Sequence, residues 1–316
     1  MSIDRRRERL IPSEKRSFRS DRCSDAGSDY CPCILSKLGE CIECSLLRGE
    51  KDCRCDGSVS CIFAHGLWQK GRKRISRNAA ILNSRVRPDG VVLLEVHVAP
   101  LTAAELSFPG SFVFVRGDEN PSFDIPLAVV RASVETQSLT LAYKIFGPKT
   151  KRLAQCHESV LIRGPYWNGI VGRRFIEHAE RQECLLVAGG MSTSVLPNIV
   201  DALLRRQNHV TVVLGLPGIM FIRDFLPEND IRILEMMFPD EKESLRAFMK
   251  EIGPELIFCG GEYPLLNMVS ELAGQLDQVP KTAYTRNRRM CCGEGICGSC
   301  VETVDGVSIR TCKTIR

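Results

Sequence analysis

Apolar and polar positions change rhythm twice along this chain. From about Leu82 to Ile162, short β-rich runs such as VVLLEVHV, SFVFVRG, SLTLAYKI and SVLIRG alternate with Pro and Gly turns, the pattern of a small antiparallel β-barrel. After about Glu183 the runs lengthen. ECLLVAGG reads as a buried strand and HVTVVLGL as the next. Between them STSVLPNIVDALLRRQ reads as a helix opened by a small hydroxyl residue, with positions 195, 196, 199, 200, 203 and 204 on one apolar face. ELIFCGG followed by YPLLNMVSELAGQL repeats the βα theme, so residues 180 to 280 predict a parallel α/β domain. PDEKESLRAFMKE carries acids early and bases late, which suits a helix dipole and needs no ligand.

The two ends are of another kind. Of 16 cysteines in 316 residues, eight fall between Cys23 and Cys61 and five between Cys291 and Cys312, leaving only Cys156, Cys184 and Cys259 in the long middle. Disulfide frameworks belong mainly to small exported domains. The basic N-terminal stretch, with eight basic and four acidic side chains and no apolar segment, does not read as a secretory signal, so the thiols point to metal and the chain to the cytoplasm. No apolar run approaches the roughly 18 residues of a membrane span. With 6% aromatic residues and no basic stripe interleaved with stacking side chains, nucleic acid is not an expected partner, although the net charge is +5. No nucleophile, His and acid stand in a hydrolytic arrangement; His157-Glu158 reads as a turn.

RRMCCGEGICGSC, residues 288 to 300, supplies the sharpest motif. Cys292-x4-Cys297-x2-Cys300, completed by Cys312, is the plant-type ferredoxin spacing, and Gly293, Gly295 and Gly298 let backbone amides turn toward the sulfurs. A zinc site or unligated thiols is the competing reading. Adjacent residues point in different directions, so only one of Cys291 and Cys292 is expected to reach a cluster. The register that keeps the x4 spacing and a following glycine selects Cys292. At the other end Cys31, Cys33, Cys41, Cys44, Cys53, Cys55 and Cys61 form two C-x-C pairs around one C-x2-C, in a segment too poor in large apolar residues to fold without a staple. Metal is expected there, as an additional iron–sulfur cluster or as zinc. Cys23 reads as spare, and His65 as exposed rather than a ligand.

Barrel, α/β domain and ferredoxin loop, in that order over roughly residues 80 to 316, resemble the electron-transfer subunit of NAD-linked dihydroorotate dehydrogenase. They also resemble the small subunits of sulfide dehydrogenase and of NADH-dependent ferredoxin:NADP oxidoreductase, all ferredoxin reductase-like proteins. The resemblance implies FAD on the barrel, NAD(H) or NADP(H) on the α/β domain as substrate, a [2Fe–2S] cluster passing electrons onward, and a catalytic oxidoreductase subunit as partner in a hetero-oligomer. It places Ile125, Pro126, Leu127 and Ala128 on the flavin strand that usually reads R-P-small apolar-S, so the usual arginine and hydroxyl are replaced by Ile125 and Ala128. Gly147, Lys149 and Thr150 keep the Gly-x-x-Thr flavin loop, and GPYWNG, 164 to 169, closes the barrel. Gly189 and Gly190 survive from G-G-x-G-x-A-P, with Ser192, Ser194 and Val195 in place of Gly, Ala and Pro. Cys259-Gly260 matches the Cys-Gly pair beside the nicotinamide, with Gly261 replacing Pro. The expected organisation is a basic tail (1–22), a Cys-rich metal segment (23–75), a FAD barrel (76–178), a nucleotide domain (179–282) and a [2Fe–2S] module (283–316). Two rival readings are an iron–sulfur adaptor with decayed nucleotide sites and a zinc-stapled interaction protein.

Overall fold

The computed structural model describes residues 74–216, 220–285, 290–294, 297–304, 307–310 and 312. The N-terminal cysteine set from Cys23 to Cys61, His65 and Gly295 lie outside them. The chain forms two compact units. The larger, Ser76–Asn287, holds a closed barrel and a second sheet; in the smaller, Arg74 and Ile75 group with the C-terminal residues.

The barrel closes in the order β1-β2-β5-β4-β3-β6 from β1 (Arg77–Val86), β2 (Val91–His97), β3 (Phe112–Arg116), β4 (Ile125–Ser133), β5 (Ser138–Lys144) and β6 (Ser159–Tyr166), every pair antiparallel. Two short helices interrupt it: α1 (Pro100–Leu106) and α2 (Pro148–Leu153). The strand period of two sorts the apolar residues between two cores. In β2, Val92, Leu94 and Val96 fill the barrel, whereas Val91 and Leu93 join the core of the second sheet. The turn after β6 is held by a close approach: Gly169 N donates to Gly110 O at 3.0 Å, and a Cβ on Gly169 would lie 2.6 Å from that oxygen.

The second sheet runs β10-β9-β8-β11-β12-β7. Its parallel strands are β8 (Glu183–Gly189), β9 (His209–Leu216), β10 (Arg232–Met237), β11 (Leu256–Gly260) and β12 (Lys281–Thr285); β7 (Ile170–Val171) pairs antiparallel at the edge. Helices α3 (Arg173–His178), α4 (Leu196–Leu204), α5 (Lys242–Ile252) and α6 (Tyr263–Ala273) flank it. Leu185, Val187, Ile257 and Cys259 face one side with α5 and α6, while Cys184, Leu186, Ala188 and Phe258 face the other with α4 and the barrel. The helix expected from residue 192 begins as α-helix only at Leu196, behind a 3-10 stretch over Gly190–Val195. Pro197 explains the shift, because proline fits the first turn of an α-helix and not its interior. The smaller unit contributes a two-stranded ribbon, β13 (Val301–Val304) with β14 (Val307–Arg310).

Burial pushes the thiols of Cys184 and Cys259 up to about 12, with Glu183 and Glu255 adding charge repulsion at Cys184. Both stay protonated in the folded chain at pH values where the unfolded chain, near the ordinary 9.0, loses its protons. Stability from these thiols is therefore complete below about pH 9 and falls between about 9 and 12, by up to about 1.4 kcal/mol per pH unit for each. A Cys184→Ala, Cys259→Ala double variant should show a flatter loss of urea stability from pH 9 to 11 than the parent; parallel curves would contradict this.

Candidate functional site

Three places in the structure carry the residues singled out above. The first is the flavin strand β4. Ile125 and Leu127 pack with the barrel's internal cluster, Ala128 packs with the second sheet's core, and Pro126, between them in the alternation, is exposed. Ile125 thus occupies an inward position next to a buried ionic group. Asp124 accepts from Arg116 Nη1 and Arg163 Nη2, each at 2.7 Å, and its side chain is 6% exposed. Arg163 also donates to the Tyr166 hydroxyl and lies over the Phe114 ring at 4.4 Å. Lys149, from the Gly147-Pro148-Lys149-Thr150 loop, donates to the backbone carbonyl of Asp124 at 2.9 Å. Thr150 is buried, and its Oγ1 accepts from the amides of Phe146 and Gly147, both at 3.1 Å, fixing the entry to α2. The Gly147–Thr150 loop and the start of β4 are therefore tied together by Lys149.

The second place is the crevice where strand order reverses. β8 has β9 on one side and β11 on the other, and ligands of open parallel sheets bind beyond the carboxyl ends of the strands at such a point. Gly189, Gly190, Gly260 and Gly261 stand at those ends. Gly190 takes φ +59, a left-handed conformation glycine adopts without strain. Gly260 is hemmed in: a Cβ would come within 3.2 Å of Ser192 O and of Phe258 Cε1. Cys259, just behind, is a packed thiol in the α5/α6 core. Ser194 is buried with no hydrogen-bond partner for its Oγ among the described residues. The Gly at 261, where the resemblance leads one to expect Pro, has a physical reason. Its N–H donates to the buried Thr285 Oγ1 at 3.3 Å, and a Cβ there would lie 2.6 Å from Leu265 Cδ2.

The third place is the C-terminal cysteine loop. The Cys312 thiol is held well above the ordinary range, first by hydrogen bonds with the side chains of Cys292 and Cys300 and then by burial, so three of the four thiols meet. Cys292 Sγ accepts from the amides of Glu294 at 3.3 Å and Cys297 at 3.5 Å, while Cys291 and Cys297 are exposed. Gly293 and Gly298 take φ +69 and +73. Inward amides and left-handed glycines around a thiol are what a [2Fe–2S] loop requires, so the residues fit that group. Here the Cys312 thiol contacts those of Cys292 and Cys300, and among the described residues no three His, Cys, Asp or Glu side chains surround a common metal position. Glu294 forms a buried ion pair with Arg74 at 3.3 Å.

Sequence reasoning missed Asp124, Arg116, Arg163 and the Arg74–Glu294 pair. A signal was present for two of them: the apolar runs FVFV and VLI are each followed directly by an arginine, and a charge in that position needs a partner.

Barrel and sheet together define a ferredoxin reductase-type fold. The NADH-dependent reduced ferredoxin–NADP oxidoreductase shares it, with a TM-score of 0.60 and 22% identity over 74% of this chain and 85% of that one. So does the ferredoxin reductase of carbazole 1,9a-dioxygenase, with a TM-score of 0.52 and 16% identity over 67% of each. In sequence the chain resembles electron-transfer subunits of NAD-dependent dihydroorotate dehydrogenase B. A probable one from Methanopyrus kandleri is 30% identical over 184 residues, 52% of this chain and 64% of its own length. One from Shouchella clausii is 25% identical over 207 residues, 62% of this chain and 77% of its own. The chain thus spans just under two thirds of the Methanopyrus relative. No protein-family profile matches it. Among the described residues no helix is long and apolar enough to cross a membrane.

Gly261→Pro should lower stability by about 1–3 kcal/mol, because it orphans the buried Thr285 hydroxyl and crowds Leu265. Gly261→Ala, which keeps the N–H, should cost less. Equal urea midpoints for the two variants would count against this account of the missing proline.

Proposed function

We propose that the protein is the electron-transfer subunit of a flavin and iron–sulfur oxidoreductase and works with a catalytic subunit; its dihydroorotate dehydrogenase B relatives are named electron transfer subunits. The observation that carries the reading is the Cys292 loop: two amides aimed at one sulfur, left-handed glycines at 293 and 298 after it, and the Cys312 thiol in contact with those of Cys292 and Cys300. These features suit a [2Fe–2S] cluster held by Cys292, Cys297, Cys300 and Cys312. FAD bound on the barrel would take a hydride from a nicotinamide and give up electrons one at a time, which is the chemistry the group supplies.

The chain's own residues would do the rest. The loop from Gly147 to Thr150 and the start of β4 would seat the flavin, and the crevice at Gly189, Gly190 and Gly260 would seat the nicotinamide nucleotide. The protonated, core-packed Cys259 would shape that crevice without giving or taking a proton near neutral pH. The cysteines from Cys31 to Cys61 would hold a further iron–sulfur centre or zinc. The loss of the pyrophosphate arginine at Ile125 and of the hydroxyl at Ala128 leaves backbone contacts and fewer charge-assisted bonds, so FAD is expected to be held less tightly than in an arginine-bearing relative.

Anaerobically purified protein should release FAD on denaturation. Well-folded, iron-replete protein that contains no FAD and takes up none would replace this reading with an iron–sulfur adaptor. Cys292→Ser should perturb or abolish the reduced-state EPR signal of the cluster, whereas Cys291→Ser should leave it nearly unchanged. The reverse pattern would show that the ligand register starts at Cys291.

A further inference from the structure

We infer that Arg74 is a positioning residue for the Cys292 loop: through its buried ion pair with Glu294 it fixes an amide aimed at the Cys292 sulfur and raises the reduction potential of the group held there. The inference rests on the [2Fe–2S] reading above.

The two ends of Glu294 are the first argument. Its N–H donates to Cys292 Sγ at 3.3 Å, while its carboxylate accepts from Arg74 Nη1, also at 3.3 Å. Gly293, at φ +69, makes the turn that sends the amide back toward the sulfur. One residue therefore brings both a hydrogen bond to Cys292 and a negative charge close to it. The contact on its carboxylate limits how far its amide can swing. Glu294 stands inside the ligand spacing, between Cys292 and Cys297, whereas Arg74 comes from the other end of the sequence.

Burial is the second. Both side chains of the pair are almost wholly inaccessible, and Cys300 and Cys312 are buried as well. Solvent and salt screen charges poorly in such a place, so a unit charge gained or lost acts more strongly on its neighbours than one at the surface. A buried ion pair adds little stability over apolar side chains of the same volume. Stability alone is therefore a weak reason for setting one against this loop.

Chemistry is the third, and it supplies the sign. One-electron reduction adds a negative charge beside Cys292. A nearby cation and N–H bonds to sulfur favour that charge, and a carboxylate opposes it. Arg74 supplies the cation, steadies the amide and offsets the carboxylate. Deleting its charge lowers the potential on each count. Deleting the charge of Glu294, with the amide kept, raises it. A purely mechanical prop would behave differently, because losing either partner would loosen the loop and move the potential the same way. Other contacts of the two side chains leave these signs unchanged, since each variant deletes one fixed charge.

The test is a redox titration of the anaerobically purified full chain, monitored by the EPR signal that Cys292→Ser perturbs. Arg74→Gln should lower the potential and Glu294→Gln should raise it, each by roughly a factor of ten in the reduction equilibrium, about 59 mV for one electron. Arg74→Lys, which keeps the charge, should stay near the parent, and the double Gln variant should return toward it. If Arg74→Gln holds no cluster, Arg74→Lys and Glu294→Gln decide. Shifts of one sign in both Gln variants, or potentials that do not move, would overturn this inference and leave the cluster reading standing. Wild-type protein with no such signal would overturn both.

Discussion

The larger unit depends on one constraint: the barrel cannot leave its outer face wet. Val91, Leu93, Val130 and Ala142 point away from the barrel interior, and each is almost wholly buried in the core that also holds Leu186, Ile199 and Phe258. Burying a valine or leucine side chain contributes about 1.5–3 kcal/mol, so separating barrel from sheet would expose several such residues at once. One directional contact reinforces the packing: Asn198 of α4, buried, donates to Val129 O at 3.1 Å, beside the bulge where β4 loses register with β5. A polar side chain in that seam specifies one arrangement of the two halves, because any slide would strand its amide. Strand β4 and the glycine crevice consequently belong to one compact unit.

A second constraint works within that unit. Asp124 ends the loop before β4 and holds together β3 through Arg116, β6 through Arg163 and α2 through Lys149. The same carboxylate therefore lets two arginines stay largely buried and joins three barrel elements through one loop.

Much of this was legible in the chain, for physical reasons that differ between elements. VVLLEVHV and ECLLVAGG read as strands because both of their faces are buried, which produces nearly continuous apolar runs. β10, with the sequence RILEMM, and β12, with KTAYT, escaped notice because they lie toward the edges of the sheet, where exposed and half-buried positions blur the period. α1 escaped because seven residues are too few to show a helical repeat. The left-handed glycines of the cysteine loop, Gly293 and Gly298, were legible, since glycine placement is a local property. The Asp124 cluster was not, because its members come from four separate segments that only the barrel's closure brings together. Nor was the reason for Gly261, which lies in the hydroxyl of Thr285, 24 positions further along.

The pairing of Arg74 with Glu294 gives the C-terminal loop a dependence that its compact spelling conceals. Both side chains are nearly inaccessible, at 1% and 5%, and 220 positions of chain lie between them. Glu294 also provides one of the two amides aimed at Cys292. The loop is therefore not an interchangeable cassette that could be cut out and grafted onto another barrel with its properties intact. A chain trimmed to begin after residue 74 would remove this buried cation from Glu294, whereas one trimmed a residue earlier would keep it.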